Sequence, residues 1–218
     1  MSSPAWKHRR RVLEAQAHPA EQSGTGVPRS HETFLAAVQT ACSRISEVPR
    51  GPKRDEVKRA FYDELYPEIR KYIATGANYR NPALTQVMIW AFDLGEIKSA
   101  WEIADIADKQ EQPMPERFKS SLRNAVADFL FDWAARQYAA GKNPEPYFGE
   151  MFRRIIPENG NPAWTVHQQI RLKYVKLALQ HEHDPAKALE LCCLAEQIDP
   201  VGAGVKTRKA KLEKELNQ

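Results

Sequence analysis

Cysteine is scarce in this chain, and the few present exclude a disulfide framework. Cys42, Cys192 and Cys193 are odd in number, lack a CxxC spacing, and include an adjacent pair that could bridge only through a strained ring. They read as small core residues in a reducing compartment. Long apolar runs are also missing: none approaches the roughly 18 residues that cross a bilayer. The opening residues are basic and polar, without the apolar centre of a signal peptide. No membrane partner is expected, and the cytoplasm is the expected location. Alternation of apolar with polar residues is never sustained long enough to mark a strand. Glycine is thin, at 10 of 218 residues, and forms neither a phosphate-cradling loop nor GxGxxG, which argues against an ATPase. Neither a Ser/His/Asp nor a Cys/His nucleophile arrangement can be singled out.

What the chain does contain is repetition. Residues 96–107 lie over residues 184–195 at an offset of 88, so that Ala100, Glu102, Ile103 and Ala107 fall on Ala188, Glu190, Leu191 and Ala195. Each copy reads as the second half of a helical hairpin. Ala188, Cys192 and Ala195, followed by Pro200, have the spacing of a tetratricopeptide second helix, where small side chains let helices approach closely. Ala100, Ala104 and Ala107 repeat it, with Pro113 one position late. The expected fold is all-α: antiparallel helical hairpins, tetratricopeptide-like in part, with a tethered basic N-terminal helix.

Three regions follow from composition. Residues 1–30 read as a basic helix opened by Ser3-Pro4 and running through Lys7 to Ala17, then a flexible tether rich in proline, glycine and serine. Residues 31–160 read as a central helical core and oligomerisation region, and residues 161–218 as a hairpin with a charged closing helix. Within the core, Phe34, Leu35, Val38, Cys42 and Ile45 fall at helical spacing until Pro49. A helix over 55–66 follows, which Pro67 is expected to kink or restart. Asn81-Pro82 opens a helix whose residues Leu84, Val87, Met88, Ala91 and Phe92 are expected to face inward, Gly95 turns it, and residues 96–110 return. A long helix is predicted over 116–140 and a shorter element over 144–156. The last predicted helices cover 163–181, 185–198 and 205–216.

The net charge is only +4, but it is unevenly placed. Lys7, Arg9, Arg10, Arg11 and Arg29 face only Glu14 and Glu21 in residues 1–30, and residues 201–218 carry an equal surplus, which leaves the body mildly acidic. Two basic ends on an acidic body suggest contact with a polyanion. Lys7, Arg9, Arg10 and Arg11 form the clearest cluster: guanidinium groups donate paired hydrogen bonds to phosphate, and neutralised phosphates release counterions. A solvated terminus with no partner is the other reading. Arg50, Lys53, Arg54, Lys58 and Arg59 form a second patch at a helix start, where cations oppose the helix dipole unless an anion compensates. A solvated face is the alternative there too, since Asp55, Glu56, Asp63 and Glu64 lie nearby. His181-Glu-His-Asp184 has metal-ligand residue types, but it reads better as a polar turn in which Asp184 caps the next helix. Asp93, Glu96, Asp105 and Asp108 are the carboxylates that a metal-dependent nuclease would need to converge on a cation. Nothing in the sequence shows that convergence, and capping or solvated faces explain these residues.

With those residues in view, the chain resembles the small terminase subunit of P2-type tailed bacteriophages, a family also labelled the terminase endonuclease subunit. The resemblance rests on Met1-Ser-Ser-Pro-Ala5 with His8 and Arg11, on Val87-Met-Ile-Trp-Ala-Phe-Asp-Leu-Gly-Glu-Ile97 running into Ala100 and Glu102-Ile-Ala104, and on the late hairpin with its Lys/Glu-rich final helix. It implies a role in viral genome packaging in the host cytoplasm. Such a subunit forms a homo-oligomer, recognises the packaging (cos) site on double-stranded viral DNA, and presents that DNA to the large ATPase and nuclease subunit, so directing cohesive-end cleavage. On this reading Lys7, Arg9, Arg10 and Arg11 contact DNA phosphates, and Arg54, Lys58 and Arg59 are further contacts. No catalytic residue is assigned, no metal site is expected, and no cofactor is needed. Two alternatives remain. One is a metal-dependent endonuclease, needing Mg2+ and drawing on Asp93, Glu96, Asp105, Asp108, His181 and His183. The other is a tetratricopeptide-like adaptor that binds a peptide.

Overall fold

Helices account for every regular element among the residues that the computed structural model describes, 29–157 and 160–217, and no strand occurs among them. Nine helices follow in order: α1 (Arg29–Glu47), α2 (Pro52–Ala74), α3 (Pro82–Leu94), α4 (Ile97–Lys109), α5 (Leu122–Ala139), α6 (Tyr147–Ile155), α7 (Gln168–His181), α8 (Pro185–Ile198) and α9 (Lys206–Leu216). The chain divides into two units, residues 1–33 and 34–218. Only residues 29–33 of the first are described, as the opening of α1. The basic helix and most of the tether expected over residues 1–30 therefore lie outside the described residues.

In the second unit the hairpins form where the local signals place them. Gly95 caps α3 at φ 76°, a left-handed conformation that costs glycine nothing, and its N–H and that of Glu96 close on Phe92 O and Ala91 O. That two-residue turn folds α4 back onto α3. Asp184 takes the N–H groups of Ala186 and Lys187 on its carboxylate, with Pro185 in the first turn, and so starts α8 against α7. The small residues of both repeat copies are buried: Ala100, Ala104 and Ala107 on α4, and Ala188, Cys192 and Ala195 on α8.

α3 is the centre of the body. Every residue from Ala83 to Phe92 is buried, so the helix presents no wet face, whereas the sequence pattern pointed to one inward side. α2, α4 and α5 pack around it. Full burial of side chains such as Leu84 and Met88 contributes about 1.5–3 kcal/mol each relative to exposure. Of the two buried polar residues on α3, Thr85 and Gln86, Thr85 has an internal partner: its Oγ donates to Pro113 O at 2.7 Å. The core continues through Phe148, Met151 and Ile155 of α6 to Tyr174 of α7 and Leu212 of α9.

Three boundaries depart from expectation for identifiable reasons. α2 runs unbroken through Pro67. Pro67 and Asp63 are both exposed, so water can satisfy the carbonyl that loses its partner, while Leu65, Ile69 and Tyr72 anchor the helix on both sides. α5 starts at Leu122 rather than near 116 because Ser121 accepts the Asn124 N–H and caps it there. Phe118 precedes the helix and packs edge-on to Phe129 instead. α7 starts at Gln168 rather than Ala163, with the His167 N–H bonded to Asn124 Oδ1 of α5 at 2.9 Å.

Candidate nucleic-acid interface

The basic patch at the head of α2 is built around a glycine. Gly51 sits at φ 139°, which side chains rarely adopt, and Pro52 then opens the helix. Gly51 offers no side chain to cap the helix, and Lys53 and Arg54 follow in a first turn whose acidic residue is Asp55. The positive end of the dipole thus meets further positive charge.

Beside it opens a cavity of about 470 Å³. Cys42 and Ile45 of α1, Arg50 and Gly51 of the loop, Arg54 and Lys58 of α2, Trp90 and Asp93 of α3, and Arg117 from the turn before α5 line it. Burial pushes the Cys42 thiol above its ordinary value, with the neighbouring Arg117 pulling the other way.

The cations of this patch divide into two kinds. Lys58 Nζ donates to Asp93 Oδ2 at 2.8 Å and lies 3.7 Å from Asp55. Arg59 Nη1 reaches Glu96 Oε1 at 2.5 Å, and its Nη2 donates to Leu94 O at 3.1 Å. These two therefore fasten α2 to the α3–α4 turn, and Arg59 also satisfies a carbonyl at the negative end of α3. Arg50, Arg54 and Arg117 form no ion pair with any described residue. Arg117 lies over the Phe118 ring at 5.0 Å. Lys7, Arg9, Arg10 and Arg11 lie outside the described residues.

The carboxylates considered for metal chemistry point to different cations. Asp93 and Glu96 hold Lys58 and Arg59. Asp105 of α4 receives the Arg154 fork from α6, and Asp108 receives Arg123 from α5 at 2.6 Å. Arg154 is also stacked against Trp101 and Trp164, at 4.3 and 5.2 Å from their ring centroids. The His181 segment is a turn: Glu182 accepts from the N–H groups of His183 and Asp184, Asp184 caps α8, and His181 stacks on Tyr138 at 3.9 Å. Among the described residues no three His, Cys, Asp or Glu side chains gather as metal ligands. No helix among them is long and apolar enough to cross a membrane.

Sequence reasoning found Arg50, Arg54 and Lys58 but missed Arg117, which it placed inside a long helix. Arg117 stands 63 positions beyond Arg54, and no local pattern joins the two.

Comparison with known proteins agrees with the resemblance. Residues 35–161 match the family model described as phage small terminase subunit. The chain is 30% identical over 129 residues to the probable terminase, endonuclease subunit, of Haemophilus phage HP1 (strain HP1c1); the alignment covers 59% of this chain and 44% of that protein. It is 27% identical over 225 residues to the terminase, endonuclease subunit, of Escherichia phage P2, covering 99% of this chain and 86% of that protein. This chain thus aligns with less than half of the Haemophilus phage protein's length. No solved structure matches it.

Proposed function

Because this chain belongs to the phage small terminase subunit family and its place is in phage genome packaging, we propose that it is the DNA-recognition subunit of the packaging machine. In this reading it assembles as a homo-oligomer in the host cytoplasm and recognises the packaging (cos) site on double-stranded viral DNA. It then presents that DNA to the large ATPase and nuclease subunit, which cuts the cohesive ends under its direction. Lys7, Arg9, Arg10 and Arg11 supply phosphate contacts, with Arg54, Lys58 and Arg59 as further contacts. The observation that carries the reading beyond family membership is the cationic cavity at the head of α2, where arginines without carboxylate partners face solvent. Lys58 and Arg59 differ from Arg54, because a phosphate reaching them has to compete with Asp93 and Glu96.

The test is binding of the full chain to packaging-site DNA across a salt series, with the particle mass measured with and without that DNA. Four phosphate contacts from the first cluster contribute about −3.6 to the slope of log K against log salt, and alanine at Arg9, Arg10 and Arg11 flattens it by about 2.7. A monomer indifferent to DNA at moderate salt overturns the proposal and favours a peptide-binding adaptor.

A second reading is favoured by the names of the relatives, which call them endonuclease subunits. Here the chain itself nicks DNA with Mg2+ held by some of Asp93, Glu96, Asp105, Asp108, His181 and His183. Four of those carboxylates already hold separate basic side chains, so the reading requires those pairs to open. Nicking by the purified chain with magnesium, lost on alanine substitution at these positions, supports it.

A further inference from the structure

We infer that the cavity at the corner of α1 and α2 is a binding pocket for a phosphomonoester dianion, either the terminal phosphate of a nucleic-acid strand or free inorganic phosphate. Its lining carries four cations, Arg50, Arg54, Lys58 and Arg117, against two carboxylates, Asp55 and Asp93. The surplus is two positive charges. A phosphomonoester carries about −1.5 to −2 at neutral pH and three acceptor oxygens, whereas a backbone diester carries one charge.

Lys58 is already matched by Asp93 at 2.8 Å, so the surplus rests on the three arginines. Guanidinium forks suit the tetrahedral oxygens of phosphate, each donating two parallel hydrogen bonds. The head of α2 adds its own field. It has no side-chain cap, its dipole is positive there, and a dianion would relieve the repulsion that the arginines create. Trp90 and Ile45, both buried, give the pocket apolar lining, which strengthens charge interactions beside it. A volume of about 470 Å³ admits a nucleotide-sized group. Only the nucleic-acid source of the phosphate rests on the packaging reading.

Cys42 stands in the wall of this pocket and Cys193 stands outside it, both partly exposed, so the two thiols form a built-in reporter and control. Full-length protein is treated with iodoacetamide and the alkylation rate at each cysteine is followed by peptide mass spectrometry. The added probes are inorganic phosphate, a DNA duplex with 5′-phosphate ends, and the same duplex with 5′-hydroxyl ends. Phosphate or the phosphorylated duplex is expected to slow Cys42 about tenfold at ten times its Kd, with Cys193 unchanged. Arg54→Gln should abolish the protection. Protection by the phosphorylated duplex assigns the strand end, and protection by phosphate alone assigns the free anion. If neither slows Cys42, or if the hydroxyl duplex protects equally, the monoester pocket is wrong. A wild-type chain that binds DNA while neither phosphate nor the phosphorylated duplex changes Cys42 sinks the pocket and leaves the packaging reading standing. One that takes phosphate but no DNA does the reverse.

Discussion

Replacing Arg154 with alanine should cost more than any other single change on the surface of the body. Arg154 lies in the last turn of α6 and sets its fork on Asp105 of α4, with Nη1 at 2.5 Å and Nη2 at 3.3 Å from the two carboxylate oxygens. The same guanidinium faces Trp101 and Trp164, while the Trp164 N–H donates to Arg154 O at 2.9 Å. One side chain therefore joins α4, α6 and the loop before α7. The side chains of Arg154 and Asp105 are 25% and 29% exposed, between a wet surface pair and an interior one. A charge-assisted hydrogen bond contributes about 1.5–3 kcal/mol, and the lower end applies where water reaches the pair. Two ring contacts add about 0.5 kcal/mol each. Arg154→Ala should then lose about 2.5 kcal/mol, which for a chain of this size lowers Tm by about 5–10 °C. Arg154→Lys keeps the charge but loses the fork and the flat face, and should lose about half as much. Urea unfolding followed by tryptophan fluorescence measures both, with the m-value unchanged. A double-mutant cycle with Asp105→Asn should show coupling of about 1 kcal/mol or more. A loss below about 0.5 kcal/mol, or simple additivity with Asp105→Asn, refutes the assignment of Arg154 as the joint. The outcome bears on chemistry too, because Asp105 is one of the carboxylates that an intrinsic nuclease would use.

Three other perturbations probe separate parts of the fold. Gln112 is buried, accepts from the Asn81 N–H at 2.7 Å and donates to Tyr79 O at 2.8 Å; Tyr79 O keeps the Tyr72 hydroxyl at 3.0 Å, but Gln112→Leu takes the acceptor from the Asn81 N–H and should cost about 1–3 kcal/mol in chemical denaturation. Gly95→Ala meets no atom within 4 Å but must hold φ 76°, so a strain cost of about 1 kcal/mol is expected in the same assay, with little change in structure by circular dichroism. Burial holds the Tyr62 phenol up at about 12 and pushes the Tyr174 phenol well above its usual range. A phenol raised in the folded state favours the protonated form, so its contribution is complete below about pH 10, where the unfolded chain begins to ionise, and fades as pH approaches 12. Tm should therefore fall across that interval, and Tyr62→Phe should make the fall shallower; an unchanged profile contradicts the burial of this phenol.

Legibility of the fold followed the range of the interactions. Gly95, Pro82 and the Asp184-Pro185 pair act within one turn of helix, and the boundaries they mark appear where their residue types place them. The small residues at 100, 104 and 107 and at 188, 192 and 195 repeat at helical spacing, and the faces they form are buried. Pro67 misled because its local preference is real but weaker than the anchoring of Leu65, Ile69 and Tyr72 on either side. Phe118 misled because its spacing from Leu122 fits a helix, while Ser121 supplies a cap between them.

By itself, the order of residues settled that this chain is helical, where most of its helices turn, and which family it resembles, because periodicity, caps and short motifs are encoded in neighbours along the chain. The tertiary structure alone decided which cation each carboxylate holds. Asp93, Glu96, Asp105 and Asp108 lie within 16 residues, yet their partners Lys58, Arg59, Arg154 and Arg123 come from α2, α6 and α5. It alone brought Arg117 beside Arg54 to complete a cationic cavity. Coulomb attraction and burial depend on distance in space, and that distance exists only after the helices have packed.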